Sequence, residues 1–319
     1  MPHRNVATRG LTEGALLAGL IVIIVVVGIF FLPSLALLLA PVPVAWLLIR
    51  WGTRVAVLAS IVASLILAWI VGPVQALLAG AVFGPTGIAL GWGVRQRFSA
   101  STTVLVTAAV LLLTSLLSLW LTVRLMGINP VEETIKAQIE AWKMSLALQR
   151  RLGVPSAQAE ALEKALGQLP DFLRTIIPVA FLLGAGIWAY LIYLVAGLLL
   201  RRFGHTLPPF PPMLQWRVPA RVVWVLLGLT VLSGVAGARW PPFQRVFVNL
   251  QIADVLVFGF QGLLIGLYYL RRLEVPRWFQ AILVVLVLSI GISWFILMWV
   301  GLLDTWFNYR RLGTRGEPA

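Results

Sequence analysis

The sequence predicts an all-α fold: a polytopic transmembrane helical bundle of about nine helices, with an amphipathic helical hairpin in one outer loop. Three observations predict it. Of the 319 residues 60% are hydrophobic and only 11% charged, whereas a soluble domain carries roughly a quarter charged residues. Apolar runs near the ~20 residues needed to cross a ~30 Å hydrocarbon core recur along the chain. Arginines gather in alternate connections between those runs, the pattern of cytoplasmic loops.

The first run opens within "TRGLTEGALLAGLIVIIVVVG", which starts at Thr8, and is read as 11–32. It is about twice the length of a signal-peptide core and lacks a small-residue cleavage site, so it reads as a retained helix. The remaining spans are 34–49, 55–71, 73–95, 102–125, 172–200, 220–238, 248–271 and 277–300. The second is short and bracketed by Pro33, Pro41 and Pro43, which points to a tilted, broken or partly re-entrant segment. The fourth is rich in small residues (Gly80, Gly84, Gly87, Gly91, Gly93) that favour close helix packing, with Pro85 as a kink point.

With the N-terminus inside, the inner segments hold Arg4 and Arg9, Arg50 and Arg54, Arg95 and Arg97, Arg201 and Arg202, Arg217 and Arg221, then Arg271, Arg272 and Arg277. Nine spans would leave Arg310, Arg311 and Arg315 outside, against the same rule. Residues 278–309 overrun one crossing and fall short of two, so a kinked re-entry that returns the tail is the alternative.

The loop 126–171 holds all three lysines and six of the eleven acids. In "NPVEETIKAQIEAWKMSLALQRRLG", Asn129 reads as a cap, Pro130 as the first turn, Glu132 as the partner in a capping box and Gly153 as the stop. Val131, Ile135, Ile139, Trp142 and Leu146 fall on one stripe. "SAQAEALEKALG" reads as a second helix. The pair is either a hairpin resting on the membrane surface or a lid over an outward cavity. Proline-rich "FGHTLPPFPPMLQWRVP" at 203–219 reads as a cytoplasmic linker between a membrane unit at 1–202 and a C-terminal one at 220–319.

Several function classes find no support. The basic excess, +14 overall, lies between apolar runs rather than along one polar face, so no nucleic-acid partner is expected. Cysteine is absent, and the two histidines, His3 and His205, fall outside predicted helices. No metal site, cofactor, catalytic triad or phosphate loop is expected, and the chain reads as a non-enzyme.

Polar and small residues within the spans remain as candidates. Glu13 in a first turn would meet the positive end of the helix dipole. Gly14 with Ala18, and Ala15 with Gly19, form two small-residue faces on which another helix can pack. In the eighth span Gln251, Asp254 and Gln261 share a face. A charged Asp at membrane depth is a functional candidate, but Asp254 lies within two turns of the outer boundary and also fits a structural role.

"LTEGALLA", "WRVP" at 216–219, "FQGL" at 260–263 and "GLLDTWFNYRR" at 301–311 together resemble the YybS family of bacterial membrane proteins, over nearly the whole chain. The N-terminal half of that family looks like the six-helix S component of energy-coupling-factor vitamin transporters. The resemblance implies that 1–202 is such a unit, with three spans added. It also implies a first helix that docks on a coupling membrane subunit through an Ala-x-x-x-Ala face, where Ala15 matches and Gly19 replaces the second alanine. By position in that family the ligand would lie near Gln75, Arg124 and Arg174, with Trp120 as an aromatic wall.

The expectation is therefore a multi-pass protein of the bacterial plasma membrane, N-terminus cytoplasmic, whose first partner is the lipid bilayer. It would bind a small solute for uptake, energised by a coupling subunit with separate ATPases. The rival is a membrane scaffold or assembly factor that recruits partner helices; a third is a proton-coupled carrier built on Asp254.

Overall fold

The structure, a computed structural model, describes residues 2–151 and 156–310. Gly153, expected to end the first loop helix, and Arg311 and Arg315 lie outside the described residues. Twelve α-helices account for nearly all the rest, and no strand occurs among the described residues. Eight stretches there are long and apolar enough to cross a membrane, and a bent helix pair makes a ninth if counted as one span.

The chain divides into two compact units. The first comprises 1–170 and 181–209, the second 171–180 and 210–319.

In the first unit α1 is Pro2–Phe30. It starts well before residue 11 and takes His3 into the helix, because nothing between Pro2 and Thr12 stops one. Glu13 therefore sits several turns in, and the dipole reading fails. The second span is broken, as its prolines suggest. It consists of α2 (Pro33–Leu39) and α3 (Pro41–Trp51), since Pro41 and Pro43 have no N–H to donate to the preceding turn. Gly52 (φ 91°) and Gly72 (φ 97°) make the sharp turns into α4 (Thr53–Ile70) and α5 (Pro73–Arg95), in a region that side chains with a Cβ avoid.

Small residues then set how closely these helices approach. A Cβ on Gly87 would strike the Pro41 carbonyl and Val44, and one on Gly91 would stand 2.8 Å from the Ala45 carbonyl oxygen. Packing attraction, which replaces the hydrophobic effect as the driving force in lipid, explains the glycines of α5. Ala18, Ile21, Val25, Leu47, Ala63 and Phe83 belong to the core of this unit. The α6 helix (Ala100–Met126) is capped by Ser99 and closed by Gly127.

The outer loop begins with α7 (Pro130–Arg151), capped as expected by Asn129, whose Oδ1 accepts from the Val131 N–H at 3.1 Å. Ile135 and Leu146 of its apolar stripe are buried, while Trp142 is exposed. The second loop helix and the sixth span, expected as separate elements, are one 47-residue helix, α8 (Ser156–Arg202). Its segment 171–180 belongs to the second unit and the rest to the first.

In the second unit a 3₁₀ turn at Met213–Gln215 leads into α9 (Ala220–Gly237), followed by α10 (Pro241–Arg272). The last expected span is not one rod. It divides at Ile290 into α11 (Arg277–Ser289) and α12 (Gly291–Phe307), bent by 106°.

The α10–α12 contact is very close. A Cβ on Gly262 would collide with the Leu297 carbonyl, and one on Gly301 with the Phe258 carbonyl. Exposed Leu, Ile, Val, Phe and Trp side chains cover both units, the surface that a lipid solvent requires.

Candidate functional site

The polar groups in these apolar helices gather at a few nodes. In the first unit Glu13 takes donors from the α3 end of its span. Its Oε1 accepts from Trp46 Nε1 at 2.7 Å and from an Arg50 guanidinium nitrogen at 3.0 Å. Its Oε2 accepts from Trp51 Nε1 at 2.9 Å. The guanidinium also stands 5.6 and 5.3 Å from the two indole rings, within cation–π reach. The Trp46 ring meets Phe203 and His205 from the stretch after α8, and the Tyr193 hydroxyl donates to the Pro208 carbonyl at 2.7 Å. The carboxylate thus ties α1 to α3.

The second unit contains a larger node, built by "WRVP", "FQGL" and "GLLDTWFNYRR" together. Arg310 is 2% exposed. It donates to the carbonyls of Leu214 (2.7 Å) and Trp216 (2.8 Å) and to Asp304 Oδ2 (3.0 Å). Gln261 donates to the Gly301 carbonyl at 2.9 Å and to Asp304 Oδ2 at 3.3 Å, while its Oε1 accepts from the Val218 N–H at 2.9 Å. Arg217 closes the end of α12 by donating to the carbonyls of Asp304 (2.8 Å) and Thr305 (2.6 Å), groups that a helix C-terminus leaves unpaired. Both side chains of the Arg310–Asp304 pair are buried; the further hydrogen bonds offset part of the cost of burying two charges, while Asp304 Oδ1 and Arg310 Nε have no partner. The motifs were legible in the sequence; that they meet in space was not.

Two further groups serve α10. Asp254, 5% exposed, accepts from the Thr230 hydroxyl at 2.7 Å through Oδ2, and its Oδ1 has no hydrogen-bond partner. Asn249 repairs α8. Pro178 interrupts that helix, and the Asn249 carboxamide inserts where a backbone bond between residues 179 and 175 would lie. Its Oδ1 accepts from the Val179 N–H at 3.0 Å, and its Nδ2 donates to the Thr175 carbonyl at 2.6 Å. Pro178, a proline inside an apolar run, is the sequence signal that points to such a repair.

The other sequence candidates divide. Gln261 and Asp254 are buried on α10, but Gln251, one turn from Asp254, is exposed. Trp120 and Arg124 are exposed on the last turns of α6, with the guanidinium 6.0 Å from the indole ring. Gln75 is exposed at the start of α5. Arg174 is exposed and pairs with Asp171 at 3.3 Å, in the segment assigned to the second unit.

The two small-residue faces of α1 also differ. Gly14 and Ala18 are buried within the unit, and a Cβ on Gly14 would meet Val55 at 3.2 Å. Ala15 is exposed, and nothing lies within 4 Å of a Cβ built on Gly19. A groove of about 470 Å³ runs between α4 and α5, lined by Ser60, Ser64 and Ala68 on one side and Ala76, Gly80 and Gly84 on the other. Both serine hydroxyls donate back to their own helix, to the carbonyls of Ala56 and Ser60, so the groove offers an apolar wall.

Comparison with known proteins places these features in a family. The chain is 25% identical over 308 residues to the Bacillus subtilis (strain 168) protein described as uncharacterized protein YybS, covering 95% of this chain and 98% of that one. No solved structure matches. Residues 17–305 match the family described as "Predicted membrane protein (DUF2232)", a stretch that takes in α3, the Asn249 splice and the α10–α12 node except Arg310, and the chain is an integral membrane protein belonging to that family.

Proposed function

We propose that this membrane protein acts without catalysis, as a docking component that binds a transmembrane helix of a partner protein through the outward face of α1. The carrying observation is the difference between the two small-residue faces of that helix. Gly14 and Ala18 are used up inside the unit, whereas Ala15 and Gly19 are left open between exposed Leu11, Leu16, Leu20 and Ile23. In lipid, apolar side chains gain nothing from hiding, so close backbone approach at small residues is what another helix can use. The same face is the one that the S-component resemblance assigns to a coupling subunit. Arginine placement favours a cytoplasmic N-terminus in a bacterial plasma membrane.

Solute capture has less to rest on. Gln75, Trp120, Arg124 and Arg174 are all exposed, and the α4–α5 groove is lined by none of them.

The test is affinity purification in mild detergent of the native chain, Gly19→Leu and Gly14→Leu, with identification of co-purifying membrane proteins. Gly19→Leu should leave folding and yield intact but lose the partner. Gly14→Leu should lower the yield by driving into Val55. A stoichiometric partner retained by Gly19→Leu, or no partner with the native chain, overturns the reading.

A further inference from the structure

The geometry points to α11–α12 as a re-entrant hairpin that enters the membrane and leaves it on one side, returning the C-terminal end of α12 to the side of the α10–α11 turn. Three independent features carry this.

The first is direction. From one end of the α10–α12 contact to the other both sequences advance: Gly259 faces Trp294, Gly262 and Phe258 meet Leu297 and Gly301 where the helices cross, and beyond the crossing the Tyr269 hydroxyl donates to the Tyr309 carbonyl at 2.9 Å. The two helices therefore run the same way. After α10 ends at Arg272, the chain must travel back before α12 can start beside Gly259, and α11 is the segment that does so.

The second is length and bend. The 13 residues of α11 make ~20 Å of helix, too short for a ~30 Å hydrocarbon core. The 106° bend at Ile290 exceeds a right angle, so travel along the α12 axis reverses there.

The third is how the ends are fixed. Tyr309 is held by Tyr269, less than a turn from the end of α10. Arg310 is held by the carbonyls of Leu214 and Trp216, just before α9 begins. At the other foot, Gln280 of α11 donates to the Val275 carbonyl at 2.6 Å and anchors the entering helix to the turn after α10. The buried Arg310–Asp304–Gln261 node is then the clasp that holds the returning helix down.

This arrangement resolves the charge conflict in the sequence. Within the second unit the hairpin sets Arg310 on the same side as the arginines around the turn after Arg272. A ninth crossing would put Arg310 opposite Arg271, Arg272 and Arg277.

The chain contains no cysteine, so single-cysteine labelling needs no background removal. Full-length variants Arg272→Cys and Arg239→Cys, and a chain with a cysteine appended after Ala319, are treated with a membrane-impermeant maleimide in intact cells and in opened membranes. The hairpin requires the appended cysteine to behave like the Arg272→Cys variant, with the Arg239→Cys variant, on the single turn between α9 and α10, opposite to both. If the appended cysteine instead labels together with Arg239→Cys, α11–α12 crosses the membrane and the inference fails. Comparing sides with each other, rather than with an assumed inside, keeps this outcome separate from the absolute orientation and from any partner of α1.

Discussion

Glu13 carries three donors on two oxygens, and their environments decide which matter. Its pair with Arg50 is about half exposed on the arginine side, where an ion pair contributes little. The indole of Trp46 is buried and that of Trp51 half-buried, and an indole N–H without an acceptor has no other use for its proton. Leaving such a donor unpaired costs about 1–3 kcal/mol. Glu13→Ala is thus expected to destabilise the protein by about 2–3 kcal/mol. Glu13→Gln, which keeps one carbonyl oxygen, should fall between it and the native chain. Thermal unfolding in detergent gives the order, and an alanine variant as stable as the native chain would show that the carboxylate braces nothing. The contrast with Arg50→Ala is informative, because that change removes an exposed partner and should cost far less.

At the scale of elements, close approach by glycine divides the helices into those that pack and those that face lipid. Gly262 and Gly266 lie one turn apart on α10. A Cβ on the first collides with the backbone of α12, while one on the second meets nothing within 4 Å. Gly262→Val should therefore push α10 from α12 and loosen the Gln261–Asp304–Arg310 clasp, at a cost at or beyond the 1–3 kcal/mol usual for overpacking. Gly266→Val should be tolerated. Monodispersity on size exclusion and unfolding temperature distinguish the two, and equal tolerance would contradict the α10–α12 contact.

The positions of the spans were legible because apolar length and arginine placement are local signals. Where helices join or break was less so. A proline in a membrane helix is a boundary only if nothing repairs the missing hydrogen bond. Pro178 is passed because Asn249, distant in sequence, supplies the repair. Likewise the motifs around Arg217, Gln261 and Asp304 stood out as strings, but their meeting depends on α12 running parallel to α10. That direction is set by a bend at Ile290 that no proline marks. Glu13 was visible as an oddity, and its indole partners could not be, since they come from another helix.

For the whole molecule, α8 is the element that contributes residues to both units. It is a single helix of 47 residues whose segment 171–180 packs with the second unit while its flanks pack with the first. A cut between Pro209 and Phe210 falls at the division between the units, yet it would separate Asn249 from the helix it repairs. The Val179 N–H and the Thr175 carbonyl would then face lipid, where each unsatisfied backbone group costs several kcal/mol. In the other fragment the Asn249 carboxamide would keep only its bond to the Arg245 carbonyl, leaving Oδ1 without a donor. Residues 1–209 and 210–319 expressed alone should each accumulate poorly, and co-expression should restore both and let one purify with the other. Asn249→Leu in the second fragment should weaken that rescue, because leucine fills the space but neither accepts from residue 179 nor donates to residue 175. Quantitative blotting of membrane fractions reads the result. Stable accumulation of both fragments alone would mean that the splice is dispensable and that each half carries its own stability.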